Sequence, residues 1–227
     1  MRSCKVIATC FTARDVRTEV SYPYHNQQIR SPEESLRMLR KVLEIETGPA
    51  TIIVVNNRAG FLPGDRYLDT LSSDVLVEHR ANFGGAFGAY DYAFQKYRDR
   101  FDYWLFTEDD VVILHPYQHF IQRFEGEVNC GLLALVGRSS SPAEHAHGGI
   151  GLSRREVLER VCERNGGHLP HPNSNGWKRR EVELAGEVAF GQAFIRAGYR
   201  LVSYGDDRRW HPSNGCLPYY DWSRLKG

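Results

Sequence analysis

The sequence predicts an α/β fold with a mostly parallel central sheet flanked by helices. Short apolar runs rich in β-branched residues recur along the chain, at Lys5 to Thr12, Thr51 to Val55 and Gly131 to Val136. Runs of that length read as strands buried on both faces. Between them lie stretches with apolar residues at helical spacing. Strand, helix, strand and strand again is the grammar of βαβ units, which build parallel sheets. The 227 residues are expected to form a single domain with ample core.

The elements follow in order. The first strand, Lys5 to Thr12, gives way to a polar loop at Ala13-Arg14-Asp15, and 21–30 look irregular. Ser31-Pro32-Glu33-Glu34 reads as a capping box with proline at the first helical position. Leu36, Leu39 and Leu43 continue that helix until Gly48-Pro49 stops it. Thr51 to Val55 ends in Asn56-Asn57; a loop with a short helix around Tyr67 to Leu71 leads to a third strand, Asp74 to Glu78. A glycine-rich turn at 84–88 then opens a helix in which Phe87, Tyr90, Phe94, Tyr97 and Phe101 form an aromatic stripe, a pattern expected of core. His119 to Phe124 is a short helix, Gly131 to Val136 a strand and 138–148 a polar loop. Ser153-Arg154-Arg155-Glu156 is a second capping box, opening a helix that Gly166-Gly167 ends. The longest polar loop, 166–181, has a length that is usually functional or disordered. Leu184 to Ala197 is a helix closed by Gly198, and Arg200 to Tyr204 is the last strand; the tail 205–227 is rich in Trp, Tyr and Pro.

Composition narrows the function. The 29 basic and 28 acidic residues give a net charge of +1, with no basic run, so no footprint for nucleic acid exists. The cysteines Cys4, Cys10, Cys130, Cys162 and Cys216 are odd in number and lack a CxxC pair. They read as reduced thiols in a cytoplasmic setting. No stretch has the length of a membrane span, and the first ten residues lack a signal-peptide plan, which leaves peripheral membrane contact open.

The stretch Phe101 to Leu114 organises the rest. Two apolar runs flank Glu108-Asp109-Asp110. Three adjacent carboxylates repel one another, and a divalent cation relieves that repulsion. Hard oxygen ligands suit Mg²⁺ or Mn²⁺, which keep positions open for substrate phosphates. Acids at a strand's carboxyl end also stand where open α/β sheets bind ligands. The alternative is a solvated acidic turn between two strands. The turn before the aromatic helix, flanked by Arg80 and Asn82, offers an anion site at a helix start or a plain tight turn. His145, His147, His168 and His171 lie in polar loops without a nearby cysteine, which argues against zinc by the usual spacing.

The order of these motifs resembles the nucleotide-sugar-dependent glycosyltransferases of the GT-A fold, a Rossmann-like fold, in their inverting family-two form. Arg80-x-Asn82-x-Gly84-Gly85-x-x-Gly88 is similar to the Asn-x-Gly-Gly-x-Gly-Gly segment of rhamnosyl- and galactofuranosyl-transferase-like members. Glu108-Asp109-Asp110 is similar to their Asp-x-Asp motif, and the segment Gly148 to Arg155 to their acceptor-side segment before a helix. Glu187 matches the acidic residue of their Glu-Asp pair. Two departures stand out: Asn56-Asn57-Arg58-Ala59 replaces the family's Asp-Asp-Gly-Ser, and Gly186-Glu187 replaces Glu-Asp.

The resemblance implies a transfer of sugar from a UDP-, dTDP- or GDP-linked donor to a hydroxyl of a glycan or small-molecule acceptor. It implies a nucleotide-sugar-binding half over about 1–114 and an acceptor-binding half over about 131–227. Asp110 and Glu108 would hold Mn²⁺ or Mg²⁺, with the late His211 completing the shell. Thr12, Arg14, Asn56, Arg80, Asn82, Gly85 and Asp109 would hold the donor, Arg80 through phosphate or a metal-site acid. Glu187 would be the general base, with Glu183 in reserve; a glutamate serving the helix dipole is the alternative. Gly149, Glu183 and Trp177 would face the acceptor, Trp177 by stacking on a sugar or as a plug for its loop. A nucleotidyltransferase acting on sugar phosphates shares strand-end acids and metal, but needs a glycine-rich loop after the first strand that Phe11-Thr12-Ala13-Arg14 lacks. A non-catalytic glycan-binding or scaffold domain is the other alternative.

Overall fold

The computed structural model describes residues 2–9, 32–44, 48, 50–58, 67–71, 73–172 and 180–218. Its strands are β1 (Ser3–Thr9), β2 (Thr51–Arg58), β3 (Val75–Ala81), β4 (Tyr103–Glu108), β5 (Val111–Ile113), β6 (Cys130–Ala134), β7 (Arg138–Ser139), β8 (His145–Ala146), β9 (Gly151–Arg154), β10 (Arg200–Ser203) and β11 (Cys216–Pro218). Its helices are α1 (Pro32–Glu44), α2 (Gly85–Tyr97), α3 (Tyr117–Glu125), α4 (Arg155–Arg164) and α5 (Arg180–Arg196).

Seven strands form one sheet in the order β10-β6-β9-β4-β1-β2-β3. The pairs β1–β2, β1–β4, β2–β3 and β6–β10 are parallel. Only β9 runs against its neighbours, β4 and β6. The α/β class and the mostly parallel sheet therefore agree with the sequence.

Side-chain alternation explains the layering. Val6 and Ala8 of β1 face one layer with Ile53 and Val55 of β2, while Ile7, Ile52 and Val54 face the other with Leu39 and Val42 of α1. That is the period-two signature of strands covered on both sides. The larger layer is aromatic. Phe94 meets Trp104 at 5.1 Å, Tyr90 meets Phe106 at 4.8 Å, and Phe190 of α5 meets Phe194 at 5.3 Å. Most of the stripe on α2 is core, as its spacing predicts: Phe87, Tyr90 and Phe94 are buried, whereas Tyr97 is half-buried at the end of the helix and Phe101, buried, lies beyond it in extended backbone.

Three expectations are revised. Ser153 does not cap a helix. It lies in β9, buried, and its hydroxyl donates to the Gly131 carbonyl at 2.6 Å. The N-cap of α4 is Arg154, without a side-chain cap. The polar stretch 138–148 is not all loop: Arg138 pairs with Ala146 and Ser139 with His145 in a small antiparallel ladder. The acidic stretch is two strands. β4 stays in the sheet, the chain turns at Asp109 and Asp110, and β5 pairs with β11 of the tail. The capping serine Ser31 lies outside the described residues. Among those described, Cys4, Cys130, Cys162 and Cys216 are free and buried. No described helix is long and apolar enough to cross a membrane.

Candidate active site at the carboxyl edge of the sheet

Parallel pairing carries the carboxyl ends of β1, β2, β3 and β4 to one edge. Thr9, Asn56, Arg80 and Glu108 stand at or beside those ends. β9 begins there too, because Gly151 is registered with Phe106 and Ala134. The segment leading into β9, with His145, His147 and Gly149, is thereby delivered to the same edge.

The three acids have different settings. Asp109 is buried: the Thr9 hydroxyl donates to its Oδ2 at 2.6 Å, and its N–H donates to the Ala8 carbonyl at 3.2 Å. It ties the end of β4 to the end of β1. Glu108 and Asp110, on either side, are half-buried. Beneath them is Tyr90, fully buried, whose hydroxyl has no hydrogen-bond partner among the described residues. Burial pushes the Tyr90 phenol well above its ordinary pKa, and the charges of Glu108, Asp110, Asp109 and Glu187 push it further. Four carboxylates thus act on one phenol that keeps its proton. An unpaired buried O–H costs about 1–3 kcal/mol. Carboxylate oxygens such as those of Glu108 and Asp110 are the donor type that suits a hard divalent cation.

Glu187 reaches this region from the second turn of α5. Its Oε2 is 3.6 Å from His145 Nε2. Gly191, one turn later on the same helical face, explains the close approach: a Cβ there would lie 2.8 Å from the His145 Cα. Gln192 Nε2 also donates to the Glu144 carbonyl at 2.8 Å. His147 completes a group in which His145, His147 and Glu187 each hold a ligand atom within 4.8 Å of the others. It is the only such trio of His, Cys, Asp or Glu among the described residues. Burial, Arg209 and His145 draw the His147 pKa down to about 4, so the ring is neutral at pH 7. Arg138 anchors the strand pair that carries these histidines. Its Nη1 donates to Glu144 and to the Leu201 carbonyl, both at 2.7 Å, and its Nε and Nη2 grip Asp207 at 2.9 and 3.1 Å.

Other anticipated residues take up structural partners. Arg80, expected on phosphate or a metal-site acid, donates to Asn57 Oδ1 at 2.5 Å and to the Phe83 carbonyl at 2.7 Å. Among the described residues it forms no ion pair, and burial draws its pKa down against the pull of Asp91 and Tyr92. Asn56 is buried, with Nδ2 3.2 Å from His79 Nδ1. Asn82 is half-buried after β3. Gly85 is buried at φ 57° and its carbonyl accepts from Asn57 Nδ2 at 3.2 Å. Gly84 has φ 75°, and a Cβ there would lie 2.8 Å from His171 Nδ1. Asp91 explains that imidazole's position: its carboxylate accepts from His168 Nδ1 at 2.9 Å and from the Leu169 N–H at 2.8 Å, and His171 Nε2 is 3.9 Å away. The turn is thus packed under the start of the long loop.

Gly149, at φ 63°, lets the backbone lie against Phe87, which a Cβ would approach to 2.5 Å. His211 caps a short turn: Ser213 N–H donates to its Nδ1 at 3.3 Å, and the Ser213 hydroxyl lies 2.8 Å away. Thr12, Arg14 and Trp177 lie outside the described residues, as does the side chain of Glu183. Sequence reasoning took Tyr90 for core alone and dismissed the histidines. The available signal was the alternation His145-x-His147, which suits two side chains on one face of an extended segment.

No family model matches the chain, and neither does any curated protein. Among solved structures it is similar to TarS of S. aureus at 13% identity, over 92% of this chain and 36% of that one, with a TM-score of 0.53. The chain spans little more than a third of that TarS chain, and the likeness is one of fold. A cytidylyltransferase of Leptospira borgpetersenii follows at 13% identity, 92% and 78% coverage and a TM-score of 0.49. The β-1,4-galactosyltransferase 7 of Drosophila, in complex with manganese, UDP-Gal and xylobiose, follows at 14%, 98% and 74%, with 0.44. At these identities the likeness is one of α/β fold.

Proposed function

We propose that the chain is a metal-dependent glycosyltransferase moving a sugar from a nucleotide-sugar donor to an acceptor hydroxyl with inversion. The observation that carries the reading is the acidic run Glu108-Asp109-Asp110 at the carboxyl end of β4, with Glu108 and Asp110 half-buried and Asp109 held by Thr9. Glu108 and Asp110 would hold Mn²⁺ or Mg²⁺. A cation there supplies charge stabilisation to the leaving diphosphate. Asp109 is fixed by Thr9 and sets the direction of the two acids beside it. Glu187 would take the proton of the acceptor hydroxyl. Its position on a separate element from the acids suits a base that works across from the leaving group. One displacement with one base leaves no covalent intermediate, hence inversion. His211 in its capping geometry would be at most a supplementary ligand.

The test is a thermal-shift panel of UDP-, dTDP- and GDP-sugars with and without Mn²⁺, followed by product analysis on an active pair. Binding to the native state raises the melting temperature by mass action. A metal-dependent shift with an inverted product is expected. Release of pyrophosphate from a nucleoside triphosphate and a sugar phosphate would move the chain to nucleotidyl transfer. No metal-dependent binding of any nucleotide would leave the fold a scaffold.

A further inference from the structure

His145, His147 and Glu187 form a second centre beside the acidic turn. The His145 side chain is 1% exposed, and its Nδ1 lies 2.7 Å from the Ala143 carbonyl. A carbonyl only accepts, so Nδ1 carries a hydrogen and Nε2 is the nitrogen turned to Glu187. Nε2 lies 3.6 Å from Glu187 Oε2. A carbonyl held by one imidazole nitrogen, with the other nitrogen turned to the remaining ligands, is the arrangement of metal-bound histidines. His147 stands edge-on to His145, with ring centroids 5.4 Å apart at 87°. His147 and Glu187 are half-buried, which leaves an ion a way in and the ligands room to adjust.

We infer that these three residues bind a divalent cation of borderline character, Zn²⁺ being the representative, through two imidazole nitrogens and one carboxylate oxygen. Tetrahedral zinc sets its ligand atoms about 3.3 Å apart, close to the His145–Glu187 separation. Three protein ligands with a fourth position open is the pattern of accessible zinc sites. Nitrogen donors favour Zn²⁺ over Mn²⁺ in the usual affinity order, whereas the all-oxygen turn favours Mn²⁺ or Mg²⁺. The close packing that Gly191 allows makes the centre a built one, since it fixes α5 against the strand that carries the histidines. The inference does not rest on the transferase reading. It shares Glu187 with it, so a bound Zn²⁺ would occupy the carboxylate that the transfer needs.

The experiment titrates the full chain with Co²⁺, read by visible absorption, and then displaces it with Zn²⁺ in the presence of a chromophoric chelator. One equivalent is expected. His147→Gln and Glu187→Gln should each weaken it by about tenfold or more, since even outer-shell partners of metal ligands are worth that much. Asp110→Ala should leave it unchanged. Because a variant can fail to fold, histidine NMR of the unaltered chain gives a second reading: two imidazoles should shift and stop titrating when Zn²⁺ is added. Absence of one-equivalent binding, loss of it in Asp110→Ala but not in His147→Gln, or imidazoles that ignore Zn²⁺ would each overturn the inference.

Discussion

The acidic turn after β4 and the imidazole group beneath α5 lie on the same edge of one sheet, yet they are built in opposite ways. The first consists of contiguous residues, Glu108-Asp109-Asp110, with only oxygen donors and one member tied down by Thr9. The second draws its donors from positions some forty residues apart, 145–147 and 187, and two of the three are nitrogens. Contiguity makes a centre that any parallel strand can present at its end. Assembly from distant pieces needs a helix that comes close, and Gly191 is the residue that permits it. The two centres should therefore respond to different ions and different substitutions.

Glu187→Gln should have the largest effect, because both readings use that carboxylate. Transfer should fall about 10²–10⁴-fold, the usual worth of a general base. Mn²⁺-dependent binding of a nucleoside diphosphate should persist. If turnover were normal, the base would have to be sought elsewhere, at Glu183 first.

Asp110→Ala separates the centres. It should weaken Mn²⁺-dependent nucleoside diphosphate binding by about 10–100-fold, on the scale of lost metal-site partners. Unaltered affinity, measured by calorimetry, would remove the acidic turn from the metal site.

Gly191→Ala attacks the imidazole group through its packing. The added methyl meets backbone at 2.8 Å, so α5 must shift, at a cost of about 1–3 kcal/mol. Denaturant unfolding should show that loss. Binding of Mn²⁺ and nucleotide should change less than binding of Zn²⁺; equal losses would mean that the centres are not separable.

Tyr90→Phe should have the smallest effect on the free protein. Removing an unpartnered buried hydroxyl should be neutral or stabilising by up to about 1 kcal/mol. For a chain of this size that is a rise of about 2–4 °C in melting temperature. If instead the variant lost several degrees in the absence of ligand, the hydroxyl would have a partner in the fold after all.

How much of this could be read beforehand depends on how local each feature is. The apolar runs, most of the aromatic stripe and the adjacent acids are local patterns, although Phe101 falls beyond α2 and the acids span the end of β4 and the turn after it. β9 escaped because Gly151 to Arg154 has no alternation of its own; it is a strand only because β4 and β6 leave a gap between them. That gap also turned Ser153 from a cap into a buried donor to Gly131. Arg80 looked like an anion ligand because its charge is visible in the sequence, while its partners, Asn57 and the Phe83 carbonyl, become neighbours only in the fold. The imidazole group was hidden for the same reason, since Glu187 and the histidines are joined by packing alone.

Arg138 has a further consequence for how the edge moves. One guanidinium holds Glu144 next to the histidine strand, the Leu201 carbonyl of β10 and Asp207 beyond it. The Arg138 N–H is itself bonded to the Asp207 carbonyl, and that of His147 to Gly137. Such shared bonds couple the 138–147 segment to the chain after β10, so their amides should exchange with solvent together. Loosening either side would release both, so the last strand of the sheet sets how long the two histidines stay in place.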